Sequence, residues 1–244
     1  MRPLDKGPIP MDGNGNTKTV KNYKHWRRDL VDRIGEYCAY CNNAIPESPQ
    51  VEHVVPKNPK SSQFAPDPLD WDNLLLACGS CNSAKGDKPF LSSTHYMPEI
   101  HNTHLIFEYE TAKAIGGNKV GLIPKCNINK HVDKTKSENT LYLFKLRRAE
   151  DKKEYTDRRW EKRMKAFEKA NYALGKWQSG KIEEQAFLKE LNYLLEGGFF
   201  SIWMHAFQGI TIVENAILNY FPGTNMACFD LRNNQTTLIP LNMP

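Results

Sequence analysis

Tyr23, Trp26, Leu30 and Ile34 recur at helical spacing and Gly35 follows as a stop, so the pattern predicts a short amphipathic helix near the start of the chain. Its other face carries Lys24, Arg27, Arg28 and Arg33, which suits either a solvated surface or one that contacts phosphate. Residues 1 to about 20 are rich in Gly, Pro, Asn and Lys, and Asp12-Gly13-Asn14-Gly15-Asn16 has nothing to bury; this stretch reads as a flexible arm. Val51–Val55 is a short β-favouring run ending at Pro56. Residues 91 to 146 mix apolar runs such as Leu105-Ile106-Phe107 with turn clusters such as Gly116-Gly117-Asn118 and read as a connector with some strand. From Leu141 onward the pattern turns helical, and Arg147–Leu174 predicts one long, charge-rich helix. Lys181–Leu195 repeats Ile182, Phe187, Leu188, Leu191, Leu194 and Leu195 on one face and stops at Gly197-Gly198. Phe199–Phe207 and Thr211–Phe221 predict further, more apolar helices, and Pro222-Gly223 ends them before a coil tail.

The 244 residues allow one large domain or two modest ones. With 40% hydrophobic and 25% charged residues, wholesale disorder is excluded. Mean hydropathy is −0.62, and no stretch approaches the ~18 apolar residues of a membrane span. Met1-Arg2-Pro3-Leu4-Asp5-Lys6 lacks the apolar centre of a secretory signal, so a cytoplasmic protein is expected. The net charge of +5 permits a polyanionic partner without requiring one. Arg147, Arg148, Lys152, Lys153, Arg158, Arg159, Lys162, Arg163 and Lys165 alternate with Glu150, Asp151, Glu154, Asp157 and Glu161, a spacing that suits a salt-bridged solvated helix, with a DNA-tracking helix as the alternative. Trp160 and Phe167 offer that helix an apolar face. Phe199, Phe200, Trp203, Phe207 and Phe221 suit a helical core or, if exposed, a partner surface.

Cysteine usage changes the picture. Four of the six cysteines form Cys-x-x-Cys pairs, Cys38/Cys41 and Cys78/Cys81, in a chain too long for a disulfide-framed secreted module. Two such knuckles can place four thiolates around a structural zinc ion, a closed site without an open position; thiol redox chemistry is the competing use. Between the pairs sits Glu52-His53. Strand alternation puts the two on opposite faces, although a twisting strand end can let both border one site. Asn73 precedes the second pair and Asn82 follows its last cysteine. His95, His101, His104 and His131 lack tight ligand spacing, and Cys126 and Cys228 stand alone; these are expected to be ordinary residues.

Tyr37–Cys41, Val51–Lys57 and Trp71–Gly86 together resemble the HNH endonucleases, the ββα-metal or His-Me finger family, in its zinc-bearing branch. The resemblance covers roughly residues 36 to 90 and includes Asn82-Ser83-Ala84-Lys85, the family's Asn-x-x-Lys. It implies His53 as the general base that activates water, and Glu52 and Asn82 as ligands of a catalytic Mg²⁺ or Mn²⁺. It implies Asn73 as the residue that holds the His-bearing loop, and Cys38, Cys41, Cys78 and Cys81 as the ligands of structural Zn²⁺. Asp is commoner than Glu before the His, and Glu52 is one methylene longer. Lys57 and Lys85 lie close by in sequence and suit either phosphate contact or plain exposure, the second being the expectation. Val51–His53 with Pro56-Lys57, Asp70–Cys78 and Lys85–Pro89 looks like a bacterial subgroup of small HNH proteins, and so do Gly198–Met204, Phe221–Thr224 and Cys228–Asp230. Some of that subgroup accompany an ATPase in anti-phage defence of the Septu and retron types.

The expected fold is α+β, a zinc-stapled ββα core with a mainly α-helical C-terminal region. Its expected divisions are 1–35 (arm and amphipathic helix), 36–90 (HNH core), 91–146 (connector) and 147–244 (helical region). The expected function is metal-dependent hydrolysis of phosphodiester bonds in DNA, with an ATPase as the possible protein partner and no membrane. The alternatives are an RNA-directed nuclease and a zinc-containing binding module without catalysis.

Overall fold

Helix α1 (Arg27–Ile34) follows one 3-10 turn, Tyr23–Trp26, and buries Trp26, Leu30 and Ile34, three of the four positions its spacing marks. The computed structural model that shows this describes residues 1–57, 66–128, 132–150, 157–230 and 237–238. Strand β1 (Gln50–His53) pairs antiparallel with β2 (Leu74–Ala77), Val51 opposite Leu76 and His53 opposite Leu74. β2 does not alternate, because all of Leu74, Leu75, Leu76 and Ala77 are buried. Helix α2 (Gly79–Lys85) then packs on β1, completing a strand–strand–helix unit.

Helix α3 (Thr103–Ile106) runs straight into β3 (Phe107–Lys113), which pairs antiparallel with β4 (Val120–Cys126). The expected connector is therefore largely a hairpin, turning through Gly116-Gly117-Asn118. Helix α4 (Lys134–Leu143) begins earlier than the Leu141 onset expected, because the Asp133 carboxylate caps it by accepting the Lys136 N–H at 3.1 Å. Next come α5 (Arg159–Gln178), α6 (Glu184–Leu195), α7 (Phe200–Ala206) and α8 (Thr211–Tyr220). Strands β5 (Phe229–Asp230) and β6 (Thr237–Leu238) pair in the tail expected to be coil.

The long helix expected from Arg147 starts only at Arg159. Lys145 turns the chain at φ 50°, Arg147 reaches back to Glu138 at 2.6 Å, and Glu150 bridges to Ile115. Lys152, Lys153, Asp151 and Glu154 lie outside the described residues. The N-terminal segment also differs from a free arm over its first six residues. Arg2 donates to the carbonyls of Ile34 (2.8 Å) and Pro222 (2.6 Å), Leu4 is 1% exposed, and Lys6 pairs with Glu99 at 2.9 Å. Residues 11–17, around the Asp12–Asn16 turn, are all exposed.

Among the described residues two large apolar cores result, beside a small cluster of Ala114, Ala149 and Trp160. One joins the N-terminal segment, α1, the ββα unit and α4; the other joins α5 to α8. Phe199, Phe200, Trp203, Phe207 and Phe221 are all buried in the second, so they do not form a partner surface. Trp160 is fully buried, whereas Phe167 is 38% exposed. Ala166, Ala170 and Ala173 make a stripe of small buried side chains on α5 that lets it lie close to β4 and α7. Glycines set the closest approaches. A Cβ at Gly121 of β4 would fall 1.9 Å from the Trp160 ring. At Gly198, where φ is +84°, it would fall 2.3 Å from the Asn42 carbonyl oxygen in the first knuckle, whose oxygen accepts the Phe199 N–H at 2.7 Å.

Candidate metal centre and catalytic site

The first knuckle is a tight turn. The Cys38 N–H donates to the Asn43 carbonyl (3.0 Å), the Asn42 N–H to the Cys38 carbonyl (2.9 Å), and Asn42 sits at φ 58°. Its position is set by β2, because the Ala39 N–H donates to the Leu76 carbonyl at 2.9 Å. In the second knuckle Cys78 caps α2, its sulfur accepting the Cys81 N–H at 3.4 Å. The two knuckles meet. All four sulfurs are buried and lie within 4.8 Å of one another, with Cys41 Sγ 3.7 Å from Cys78 Sγ. A tetrahedron with Zn–S bonds of ~2.3 Å has sulfurs ~3.8 Å apart, so the donor set and its size fit zinc. Burial pushes the Cys38 and Cys81 thiols up, while hydrogen bonds from Cys38, Cys78 and Cys81 pull Cys41 down. Four buried sulfurs converging on one point suit a cation better than they suit dithiol redox chemistry.

β1 keeps its alternation. Gln50 and Glu52 face α2, where the Asn82 amide donates to Gln50 Oε1 (2.8 Å) and Lys85 Nζ pairs with Glu52 Oε1 (2.7 Å). The Tyr40 hydroxyl donates to the other Glu52 oxygen. Each oxygen of this buried carboxylate thus accepts one hydrogen bond, and Asn82 lies on the same face of the strand. Burial pushes the Glu52 carboxyl above the ordinary range, with Lys85 and Tyr40 pulling against it. Lys85, expected to be exposed, is fully buried, and its ammonium also donates to the His53 carbonyl at 2.7 Å.

His53 faces the other side, 8% exposed. Its ring packs edge-on against Tyr23, centroids 4.6 Å apart, and Nε2 lies 3.0 Å from the Pro68 carbonyl oxygen. A carbonyl only accepts, so Nε2 carries the proton and Nδ1 keeps its lone pair. Burial lowers the His53 pKa, the Pro68 carbonyl opposes it, and Lys57 and Lys85 add to the lowering. The imidazole is therefore neutral near pH 7. Lys57 stacks over Tyr23, 4.9 Å from the ring centre.

Asn73 clamps the segment after His53. Its Oδ1 accepts the Val55 N–H (2.8 Å), its Nδ2 donates to the Val55 carbonyl (2.9 Å), and its own carbonyl accepts the Val54 N–H (2.9 Å). Sequence reasoning missed Tyr40, Gln50 and the burial of Lys85. The i,i+3 spacing of Asn82 and Lys85, which puts both on one face of α2, was the available signal for the last. Among the other histidines, the His104 and His205 rings lie tilted with centroids 4.7 Å apart, His95 and His101 hydrogen-bond locally, and His131 lies outside the described residues. Cys126 and Cys228 are buried and separate from the cluster. No helix among the described residues is long and apolar enough to cross a membrane.

The HNH endonuclease family profile matches residues 38–88. The CRISPR-associated endonuclease Cas9 of Corynebacterium diphtheriae (strain ATCC 700971 / NCTC 13129 / Biotype gravis) is 35% identical over 66 residues, 27% of this chain and 6% of that protein. The likeness thus spans a small part of that relative's length. No solved structure matches the chain. Two knuckles that converge on one four-sulfur site, a buried Glu-His strand and an Asn-x-x-Lys helix, taken with that match, make residues 38–88 of this chain an HNH endonuclease domain.

Proposed function

We propose that this domain hydrolyses phosphodiester bonds in DNA, with His53 as the general base. The observation that carries the proposal is the Nε2 contact to the Pro68 carbonyl, because it leaves Nδ1 of a neutral imidazole able to take the proton of an attacking water. Asn73 holds the chain on one side of the base through Val54 and Val55. Lys85 holds the His53 main chain from α2, so the ring is braced by groups that need not react themselves. The family likeness assigns Mg²⁺ or Mn²⁺ to such sites, and when bound that ion stabilises charge on the phosphate and the leaving oxygen. Zn²⁺ in the four-cysteine site staples the fold and has no open position.

A plasmid-nicking assay with Mg²⁺ or Mn²⁺, and with chelator, tests the proposal. His53→Ala is expected to lower cleavage by ~10²–10⁴-fold with zinc content and folding unchanged. Cleavage retained by that variant overturns the role of His53. Cleavage of RNA and not of DNA would move the substrate while keeping the chemistry. The engagement of Glu52 with Lys85 and Tyr40 favours a second reading, a zinc-stapled binding module without catalysis. Nucleic-acid binding with no cleavage in either metal is its signature. An ATPase partner and a role in anti-phage defence go with the likeness to Septu- and retron-type proteins. Co-purification of an ATPase with the full chain tests both.

A further inference from the structure

We infer that Arg159, from outside the HNH segment, is an outer-sphere partner of the zinc site and, with Arg163, the counter-charge that ties metal binding to the docking of α5. The inference rests on the four-cysteine site and not on the proposed reaction. Arg159 Nη1 donates to Cys81 Sγ at 3.0 Å and also to the Phe144 carbonyl at 3.0 Å. Its Nη2 reaches the Lys145 carbonyl (3.3 Å) and Asp157 Oδ2 (2.6 Å), and its Nε reaches Asp157 Oδ1 (2.8 Å). The guanidinium is 5% exposed and is held in one orientation by these partners, with one N–H aimed at a metal-ligand sulfur. Arg163, one turn further along α5, is 2% exposed and donates to the Leu146 carbonyl at 3.1 Å. Among the described residues it has no carboxylate partner, and Cys41, Tyr109 and Cys81 are the groups that oppose the effect of its burial.

The charges explain why two arginines are buried here. Four thiolates around Zn²⁺ leave a net charge of −2 in a site closed to water, and such a charge is costly unless it is paired and hydrogen-bonded. A guanidinium N–H aimed at a thiolate supplies both at once, and a planar fork already fixed by Asp157 and two carbonyls loses little freedom in doing so. A single buried arginine between two core segments would serve packing alone. The N–H···S contact, with a second buried guanidinium one turn further along the same helix, points to the metal. Outer-sphere hydrogen bonds of this kind orient ligands and tune affinity, and their loss typically weakens metal binding by ~10–100-fold. Arg159 and Arg163 belong to a helix that the family match at 38–88 does not include, so in this chain the C-terminal region finishes what the knuckles begin.

The test is zinc affinity of the purified full chain, by competition with a chromophoric chelator, and by the thiolate-to-metal absorption after Co²⁺ substitution. Arg159→Gln is expected to raise the zinc dissociation constant by ~10–100-fold. Arg163→Gln should raise it less, and Lys165→Gln, on the exposed face of the same helix, should leave it unchanged. A merely structural arginine would lower the stability of zinc-bound and zinc-free protein alike and leave affinity where it was. Folded Arg159→Gln with wild-type affinity therefore overturns the inference. Should Arg159→Gln fail to fold in saturating zinc, Arg159→Lys decides, since it keeps the charge and loses the fork: weakened affinity supports the inference and wild-type affinity overturns it. Hydrogen exchange in the wild type gives a second reading. Removal of zinc should speed exchange in the first turns of α5 and leave α6 to α8 protected, and unchanged α5 protection defeats the linkage.

Discussion

With His53 as the proposed general base, its environment predicts a pH profile. Burial sets its pKa below the ordinary 6.5, so the base is already deprotonated at neutral pH. Cleavage measured as kcat/KM should be flat above pH 6.5 and fall on an acid limb below it; an acid limb centred above 6.5 would identify a different base. Glu52 and Lys85 form the other residue-scale device. The pair is buried at 3% and 1% side-chain exposure, so removing one partner leaves the other charged and uncompensated. Lys85→Met should cost ~3–5 kcal/mol in urea unfolding. Adding Glu52→Gln should recover part of that loss, and purely additive costs would show that the pair does not act as a unit. The adjacency of Glu52 and His53 was plain in the sequence, and alternation already set them on opposite faces. That Glu52 turns inward to Lys85 and Tyr40 was not plain, because the partners lie 33 and 12 residues away and nothing local marks them.

At the scale of elements, the helices with one apolar stripe were legible and those held by tertiary contacts were not. α6 falls where Phe187, Leu191 and Leu195 predict it, and Gly197-Gly198 follows it as expected. α5 was placed a dozen residues too early, since the charge alternation from Arg147 mimics a solvated helix while Arg147 and Glu150 are committed to other elements. Its stripe of alanines carries little hydrophobic signal and works through closeness of approach. Gly198 joins α7 to the first knuckle, and its φ of +84° and the nearby Asn42 oxygen both exclude a side chain. Gly198→Ala should destabilise the protein by ~1–3 kcal/mol, read as a lowered melting temperature. The loss should be accompanied by weaker zinc retention, because the clash falls on the turn that carries Cys38 and Cys41.

At the scale of the whole molecule, the N-terminal segment and the second core bury polar groups that respond to pH. His104 is held well below its ordinary pKa by burial and by the neighbouring His205, and burial brings His205 down to about 4. The unfolded chain, with histidines near 6.5, binds more protons than the folded one between those limits. Stability from these groups is therefore complete above pH 6.5 and is lost as pH falls toward 4. Melting temperatures of wild type and His205→Gln measured from pH 7.5 to 4.5 should converge as the medium becomes acid. A constant difference across the range would show that His205 does not titrate in this way. The pairing of His104 with His205 joins residues 101 positions apart, and the sequence treatment of the histidines as ordinary rested on local spacing alone.

The two knuckles, the β-run with its Glu-His, the asparagines and the amphipathic helices were determined by the sequence itself, because ligand spacing and hydrophobic period are local properties that survive whatever the rest of the chain does. Tertiary structure alone decided that Glu52 faces a buried lysine, that Arg2, Leu4 and Lys6 are packed, and that an arginine from α5 reaches a cysteine 78 positions earlier. Those outcomes depend on which desolvated charge finds which partner once distant segments close on one another, and no local pattern records that choice.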